Sequence, residues 1–411
     1  MLAPARATPA AAPRVSHGLA ALALTLLLGL QPVTTDIYLP ALPALTRELG
    51  ATMASAQLTL SALILAFGVA QLFWGPVADR VGRRPVLLTG LALYTAASLG
   101  STWAGSIESL VAWRGMQGAA MAAAVVCARA MVRDLYEPLE GARVMSLGLS
   151  GLGVIAIVGP LAGGLATSAW GWRAALAIVT VAGALTLLFV ALRLPETQTT
   201  LNPQATRLRP LLQAWRHIGR HRGFVAWTAL ISCTYGGLFT MLAGSSFVYI
   251  ELLGLSPGSY GLCMALGSSS YLAGTFVCRR WLARLGMAGA VRRGAAFTLA
   301  GGLLMLVPAA LGVHHAGAIL LAQCLFAFGH GIHQPCGQAG AVGPFPQAAG
   351  AASALAGFVL AATAFVVGLW LGQVLDGSLM PYALTLAFWS ALTALVAWTL
   401  VQRIAVVSRP A

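Results

Sequence analysis

Two ionisable residues stand well inside runs of apolar sequence long enough to cross a membrane, Asp36 and Arg114. A charged side chain at the bilayer centre costs about 2.5–3.5 kcal/mol on insertion scales, so each should face a cavity or a polar partner rather than lipid. Desolvation favours the neutral form of a carboxyl group, which makes Asp36 a candidate proton carrier; a helix-end carboxylate at the outer interface is the alternative. At 1.5 Å of rise per residue, Asp36 lies about 10 Å inside the outer end of its run and Arg114 about 9 Å inside the outer end of its own. At that common depth the arginine could bias the carboxylate, or backbone carbonyls could hold it for structural reasons. Gln117, one turn further on, could complete either network.

A second constellation is the connection Gly75-Pro76-Val77-Ala78-Asp79-Arg80-Val81-Gly82-Arg83-Arg84-Pro85. The Gly-Pro pair should end one helix, Gly82 permits a turn with positive φ, and Pro85 suits the first turn of the next helix. Arg80, Arg83 and Arg84 could do no more than fix the cytoplasmic side. Asp79 works against that orientation and so needs another role. The helix expected to start near Gly350 offers its carboxylate a positive dipole end, and Asp134 offers Arg83 a partner, which together would make a cytoplasmic latch.

Other groups are weaker signals. His330 and His333 are spaced i, i+3 on one helix face, too few ligands for zinc, and could touch substrate or water in a cavity. Tyr38, Tyr235, Phe239 and Met241 are candidate cavity walls, because aromatics and methionine give adaptable apolar contact; packing between helices is the plain alternative. Gly148-Leu149-Ser150-Gly151 lies in an apolar run with no preceding strand, so no nucleophile elbow is expected. The chain carries no Walker loop, dinucleotide fingerprint or zinc-hydrolase helix. No cofactor is expected, and the energy source should be an ion gradient or the substrate gradient.

The elements that must position these residues follow from composition. The 411 residues are 59% hydrophobic and 8% charged, with a mean hydropathy of +0.84, which marks an integral membrane protein. Spanning about 30 Å of hydrocarbon takes about 20 apolar residues. Twelve such runs fall at 17–43, 53–74, 86–104, 108–131, 143–168, 173–194, 223–250, 259–278, 294–313, 316–338, 350–375 and 380–402. They lack period-two alternation, so helices rather than barrel strands are predicted.

The net charge of +14 is carried entirely by arginines scattered in short loops, which reads as topology and not as nucleic-acid binding. Counted from a cytoplasmic start, 21 of the 24 arginines fall inside, Arg47 and Arg173 fall outside, and Arg114 lies within the membrane. Both termini are therefore expected to be cytoplasmic. The polar interval 195–222 divides a six-helix bundle at 17–194 from another at 223–403. Residues 1–16 read as a disordered tail without a cleaved signal peptide, and 404–411 as a short C-terminal tail. Arg80-Val81-Gly82 has a counterpart in Arg284-Leu285-Gly286, in the matching connection of the second half. Duplicated halves are the plan of a transporter that rocks around a central site. The six cysteines have no CxxC spacing and read as small core residues.

The loop at 75–85 resembles the cytoplasmic signature of the major facilitator superfamily. Asp36-Ile37-Tyr38-Leu39-Pro40-Ala41-Leu42-Pro43, Gln57-Leu58-Thr59-Leu60 and the stretch from Gly68 to Pro76 are similar to the Bcr/CflA branch of drug:proton antiporters, associated with bicyclomycin and chloramphenicol resistance. So are Arg114-Gly115-Met116-Gln117-Gly118, Ala128 to Tyr136, Gly171-Trp172-Arg173, Pro344-Phe345-Pro346 and Gly350 to Leu355. Gly159, Pro160, Gly163 and Gly164 resemble the antiporter motif of the fifth helix, with Ile155 where that pattern has glycine.

The resemblance implies an all-α membrane fold of two pseudo-symmetric six-helix bundles, with Arg114 in proton coupling and a latch at 75–85 that holds the outward-facing state. It further implies proton-driven efflux of small amphipathic compounds across a bacterial inner membrane, for which a monomer suffices. An importer or exporter of a small metabolite would share the fold. A sensor would need an output domain, and an enzyme would need convergent catalytic groups.

Overall fold

The computed structural model describes residues 16–407. Residues 1–15 and 408–411 lie outside it, and with them nearly all of the expected N-terminal tail and half of the C-terminal one.

The first expected span is broken. α1 (His17–Asp36) is followed by a 3-10 turn at Leu39–Ala41 and then by the short α2 (Leu42–Glu48). Pro40 and Pro43 lack the N–H that would reach back to the carbonyls of Asp36 and Leu39, so the α-helix cannot run through. The apolar run at 17–43 is thus one crossing made of two helices, with Asp36 at the joint.

α3 (Met53–Val81) opens on Thr52, whose hydroxyl accepts from Ser55 N–H, and runs seven residues beyond its expected end. Pro76 lies inside it rather than ending it. The stop comes at Gly82, with φ 109° and ψ 157°, and α4 (Arg83–Thr102) begins at once. α5 (Ile107–Leu135) starts with a capping box between Ser106 and Ser109, and α6 (Pro138–Trp170) and α7 (Trp172–Arg193) complete the first bundle. The interval read as polar linker contains α8 (Leu208–Arg220), an amphipathic helix. α9 (Arg222–Ser246) then leads through a π-helical turn at Phe247–Leu252 towards α10 (Pro257–Leu311).

At 55 residues, α10 would be about 80 Å long if straight, far more than a bilayer core. It folds back at Gly286, where φ 66° and ψ 179° break the helix into two crossings. Gly286 therefore plays the part in the second half that Gly82 plays in the first, as the paired Arg-x-Gly sequences predicted. α11 (Ala316–Val342), α12 (Ala349–Val374), α13 (Met380–Trp398) and α14 (Leu400–Val407) finish the chain. α14 extends as helix into the stretch expected to be tail.

Among the described residues ten helices are long and apolar enough to cross a membrane. One of these is the folded α10, and α4 packs on α5 and α7 as a further span, which gives twelve crossings in two bundles. The chain therefore returns to the face that carries α8. His17 meets Glu140 on that face, and Gln402 Nε2 donates to the Ala288 carbonyl at 3.0 Å. We call it the linker face.

Lipid tails are as apolar as leucine, so close backbone approach rather than hydrophobic transfer must hold such helices together. Gly118 of α5 lies against the Leu63 carbonyl of α3, and Gly331 of α11 lies against the Tyr271 carbonyl of α10. Across the bundles, Gly68 of α3 faces Ala361 of α12. A Cβ at Gly118 would strike the Leu63 backbone, whereas a Cβ at Gly115, one turn earlier, would meet nothing within 4 Å. Gly118→Ala should cost about 1–3 kcal/mol, while Gly115→Ala should gain about 0.5–1 kcal/mol from helix propensity. Thermal midpoints in one detergent should shift in opposite directions; equal shifts would refute the packing assignment.

Candidate functional site

Where α1 ends at Asp36, its last carbonyls have no further helical partners. Arg114 fills that need. It is fully buried, its Nη1 and Nη2 donate to the Thr34 carbonyl at 3.3 and 3.2 Å, and Nη1 also donates to Gln117 Oε1 at 2.8 Å. The guanidinium lies 4.2 Å from the centre of the Tyr38 ring, a cation–π contact that compensates part of its desolvation. Gln117 Nε2 donates to Ser98 Oγ at 2.7 Å, and Tyr94 O–H donates to Thr34 Oγ1 at 2.6 Å. Tyr38 O–H reaches Thr59 Oγ1 at 2.5 Å. Four helices are tied at this point around one cation, and among the described residues no carboxylate takes part.

Asp36 stands apart from that cluster. Its Oδ1 accepts from the Thr35 hydroxyl at 2.7 Å, and among the described residues no cation pairs with it. It is half-buried, deep in the molecule, and faces the seam between the bundles. Gly159 of α6 packs beside its Cβ, and Tyr235 and Tyr260 of the second bundle lie within electrostatic reach. Arg114 therefore contacts the backbone two residues before Asp36 rather than its carboxylate.

The small residues of α6 build this seam. Gly163 fits against the backbone of Ile37, Gly164 fits against the Pro257 carbonyl at the start of α10, and the Pro160 carbonyl sits over Gly261. A side chain at any of these positions would push the broken first span or α10 away. Ile155, which departs from the family pattern, packs its Cδ1 onto Gly29 of α1 and so fills a place within its own bundle.

At the linker face, Arg83 is buried and holds two carboxylates, Asp79 at 2.6 Å and Asp134 at 3.1 Å. The Arg83–Asp134 pair is the one expected from sequence. Asp79 differs: it turns to Arg83, one turn along, and does not reach the start of α12. The residue nearest Gly350 is Arg133, whose guanidinium nitrogens would lie 3.8 and 3.9 Å from a Cβ there. Gly75, Asp79, Arg83 and Gly350 instead line a cavity of about 590 Å³ that separates the two bundles on this side.

Sequence reasoning missed Glu196. Its carboxylate accepts from the backbone N–H groups of Arg83 and Arg84, each at 3.0 Å, and from Thr197 and Gln198. It caps α4 where the dipole favours an anion. Gly82 is required beside it, because a Cβ would lie 2.6 Å from Glu196 Oε2. Arg84 in turn donates to the carbonyls of Leu194 and Ala191 at the end of α7, and Arg80 donates to Thr206 Oγ1 at 2.8 Å. Asn202 N–H and Gln198 Nε2 both donate to the Asp79 carbonyl at 2.9 Å. The interval after α7 is thus a strap across the loop. A glutamate three residues beyond a terminal arginine was the only signal for it.

The expected cavity walls are mostly covered in this form. Tyr38, Gln117, Phe239, Met241, His330 and His333 are buried in packing, and only Tyr235 keeps partial exposure. None of them lines the linker-face cavity. His330 Nδ1 pairs with Thr234 Oγ1 at 3.0 Å and His333 Nε2 with Thr298 Oγ1 at 3.1 Å, so the two rings pin α9 and α10 to α11. Among the described residues no three His, Cys, Asp or Glu side chains converge as a metal site.

Twelve crossings in two bundles, joined by a strap and split by a seam, define a membrane transporter, and the chain belongs to the Major Facilitator Superfamily, whose family model matches residues 24–369. Its relatives fall with the Bcr/CflA-type drug transporters. Multidrug resistance protein D of Escherichia coli (strain K12) is 32% identical over 336 residues, 82% of this chain and 84% of that protein. The bicyclomycin resistance protein homolog of Haemophilus influenzae is 26% identical over 367 residues, 89% and 91% of the two chains. Among solved structures, a peptide transporter superposes with a TM-score of 0.76 at 15% identity, covering 97% of each chain. Membership makes the chain a transporter and not an enzyme.

Removing the Glu196 cap isolates its contribution, since a hydrogen bond to a charged group is worth about 1.5–3 kcal/mol. Glu196→Ala should speed exchange of the Arg83 and Arg84 amides by about tenfold or more, read by hydrogen–deuterium exchange across 82–90. Unchanged exchange there would contradict the capping role.

Proposed function

We propose that this chain exports small amphipathic or aromatic compounds across a bacterial inner membrane in exchange for protons. The observation that carries the reading is Asp36, a carboxylate with no ionic partner among the described residues, at the seam of the two bundles. A group placed there changes its exposure whenever the bundles tilt, so its proton affinity and the direction of opening are linked. The names of the relatives, multidrug and bicyclomycin resistance proteins, support the substrate class.

The bundles at 17–194 and 223–403 are the rocking units, and a monomer contains the whole path. The excess of arginine on the linker face supports its assignment to the cytoplasm, with both termini on that side. The face opposite is shut in this structure. Arg47 pairs with Glu251 at 2.9 Å, and Gln57 Nε2 donates to the Ala243 carbonyl at 2.7 Å, both across the bundles. The linker-face cavity is thus the cytoplasmic vestibule of an inward-open form. Substrate enters there and moves towards Asp36 and Tyr235. Its binding displaces the Asp36 proton, the bundles tilt, and protonation of Asp36 from the outer side favours release and return.

Arg114 contributes a fixed positive charge next to the α1 break. It holds the Thr34 backbone two residues before the carboxylate that exchanges its proton for substrate. One proton moving inward yields about 2.3 kcal/mol per 100 mV, enough for roughly fifty-fold accumulation outside. In the outward-open form Asp79 leaves Arg83 and meets the start of α12, while Asp134 keeps Arg83 neutralised. This latch is broken here, in keeping with a cavity open on the same face.

In proteoliposomes, Asp36→Asn should reduce proton-driven transport of a phenicol or bicyclomycin to its rate without a pH gradient, with binding retained. Full gradient-driven transport in that variant would remove Asp36 as the carrier. Asp79→Asn should slow exchange between the two forms at unchanged substrate affinity. Weakened binding with normal exchange would place Asp79 in the substrate site instead.

A further inference from the structure

The linker-face cavity contains two arginines that neither the latch nor the transport cycle uses. Arg129 and Arg133 stand one turn apart on α5 and both line it. Arg129 Nη1 donates to Ser353 Oγ of α12 at 3.0 Å, and among the described residues neither arginine forms an ion pair with a carboxylate. The acidic groups nearby are already engaged, because Asp79 and Asp134 share Arg83. That trio carries one net negative charge and the arginine pair two positive ones.

The wall opposite the pair is the first turn of α12. Ala348 precedes it without a side-chain cap, and Ala349, Gly350 and Ala351 line the cavity. The first turn of this long helix, whose amides carry its positive dipole end, lies on the wall that Arg133 approaches at Gly350 and Arg129 reaches at Ser353. Gly350 leaves its place open to Arg133. Arg133 lies about 3 Å, and Arg129 about 9 Å, from the end of α5 by helix rise. Both stand towards the linker-face end of α5, and basic pockets between membrane helices on such a face bind phosphate-bearing headgroups. Arginine presents paired donors that match phosphate oxygens.

We infer that the linker-face cavity is a binding site for a phosphate group, held between Arg129 and Arg133 with the Ser353 hydroxyl and the first-turn amides of α12. The phosphate belongs either to an anionic phospholipid headgroup that enters between the bundles or to a small soluble phosphate. A bound phosphate fills the place assigned above to the Asp79 carboxylate, and would hold the cavity open. That consequence rests on the latch reading, whereas the binding itself does not.

The test compares wild type with Arg129→Gln/Arg133→Gln in phosphatidylcholine nanodiscs, with and without phosphatidylglycerol, and separately titrates inorganic phosphate. Native mass spectrometry counts retained phosphatidylglycerol, and calorimetry reads phosphate. The double variant should lose about tenfold or more in retention or affinity, and Arg129→Lys/Arg133→Lys should keep part of it. Loss of phosphatidylglycerol alone assigns the site to lipid, and loss of phosphate binding assigns it to a soluble ligand. Because Arg133 is exposed, Arg133→Gln preserves the fold and should weaken the same signal several-fold. Equal retention and equal phosphate affinity in wild type and all variants would overturn the inference.

Discussion

A charge placed in hydrocarbon must be either satisfied or left where water and substrate can reach it, and this chain uses both solutions within three residues of one backbone. The break in the first crossing exposes carbonyl groups that a continuous helix would have consumed, and Arg114 takes the Thr34 carbonyl together with Gln117 and the Tyr38 ring. Among the described residues the arginine is held in that way without a carboxylate, its Nε alone lacking a partner. Asp36 is thereby released from the role of counter-ion and stays open to the seam. Had the two formed a salt bridge, the carboxylate would bind no proton over the range in which a transporter works.

The two halves share one framework but not one chemistry. Arg114 is the eighth residue of α5, and Gln323 is the eighth of α11. Gln323 likewise gathers tyrosines, accepting from Tyr249 O–H at 3.1 Å and donating to Tyr382 O–H at 2.6 Å. The second bundle thus repeats the network with a neutral residue at its centre. Its buried histidines tie helices together rather than carry charge across a cavity. In the proposed cycle coupling is confined to the first bundle, and the second supplies the opposing surface against which Asp36 is covered or exposed. Backbone contacts at Gly164 and Gly261 let that surface come close enough to matter.

The twelve crossings were legible because apolar runs and arginine-bearing loops are set by the bilayer and leave a one-dimensional record. So was the pairing of Gly82 with Gly286, since a helix-to-helix reversal at positive φ selects glycine. The depth of Arg114 and Asp36 could be read from helix rise, but their separation into two environments could not. It depends on the break at Pro40, which an apolar count passes over. Asp79 was expected at the start of α12 because an acidic residue that works against orientation needs another role, and in this form the buried Arg83 holds it together with Asp134. Glu196 and α8 were hidden because polar sequence reads alike whether it straps a loop or hangs in solvent. The aromatic and histidine residues, apart from Tyr235, are covered in this form, and sequence could not tell wall from packing because core and cavity draw on the same residue types.

The account stands on substrate and proton competing at Asp36. The direct measurement is proton release on drug binding, followed with a pH-sensitive dye in weakly buffered detergent solution at near-neutral pH. Wild type should release protons in proportion to bound substrate, and Asp36→Asn should bind the same substrate and release none. Binding in wild type without proton release, or equal release from the variant, would contradict the account.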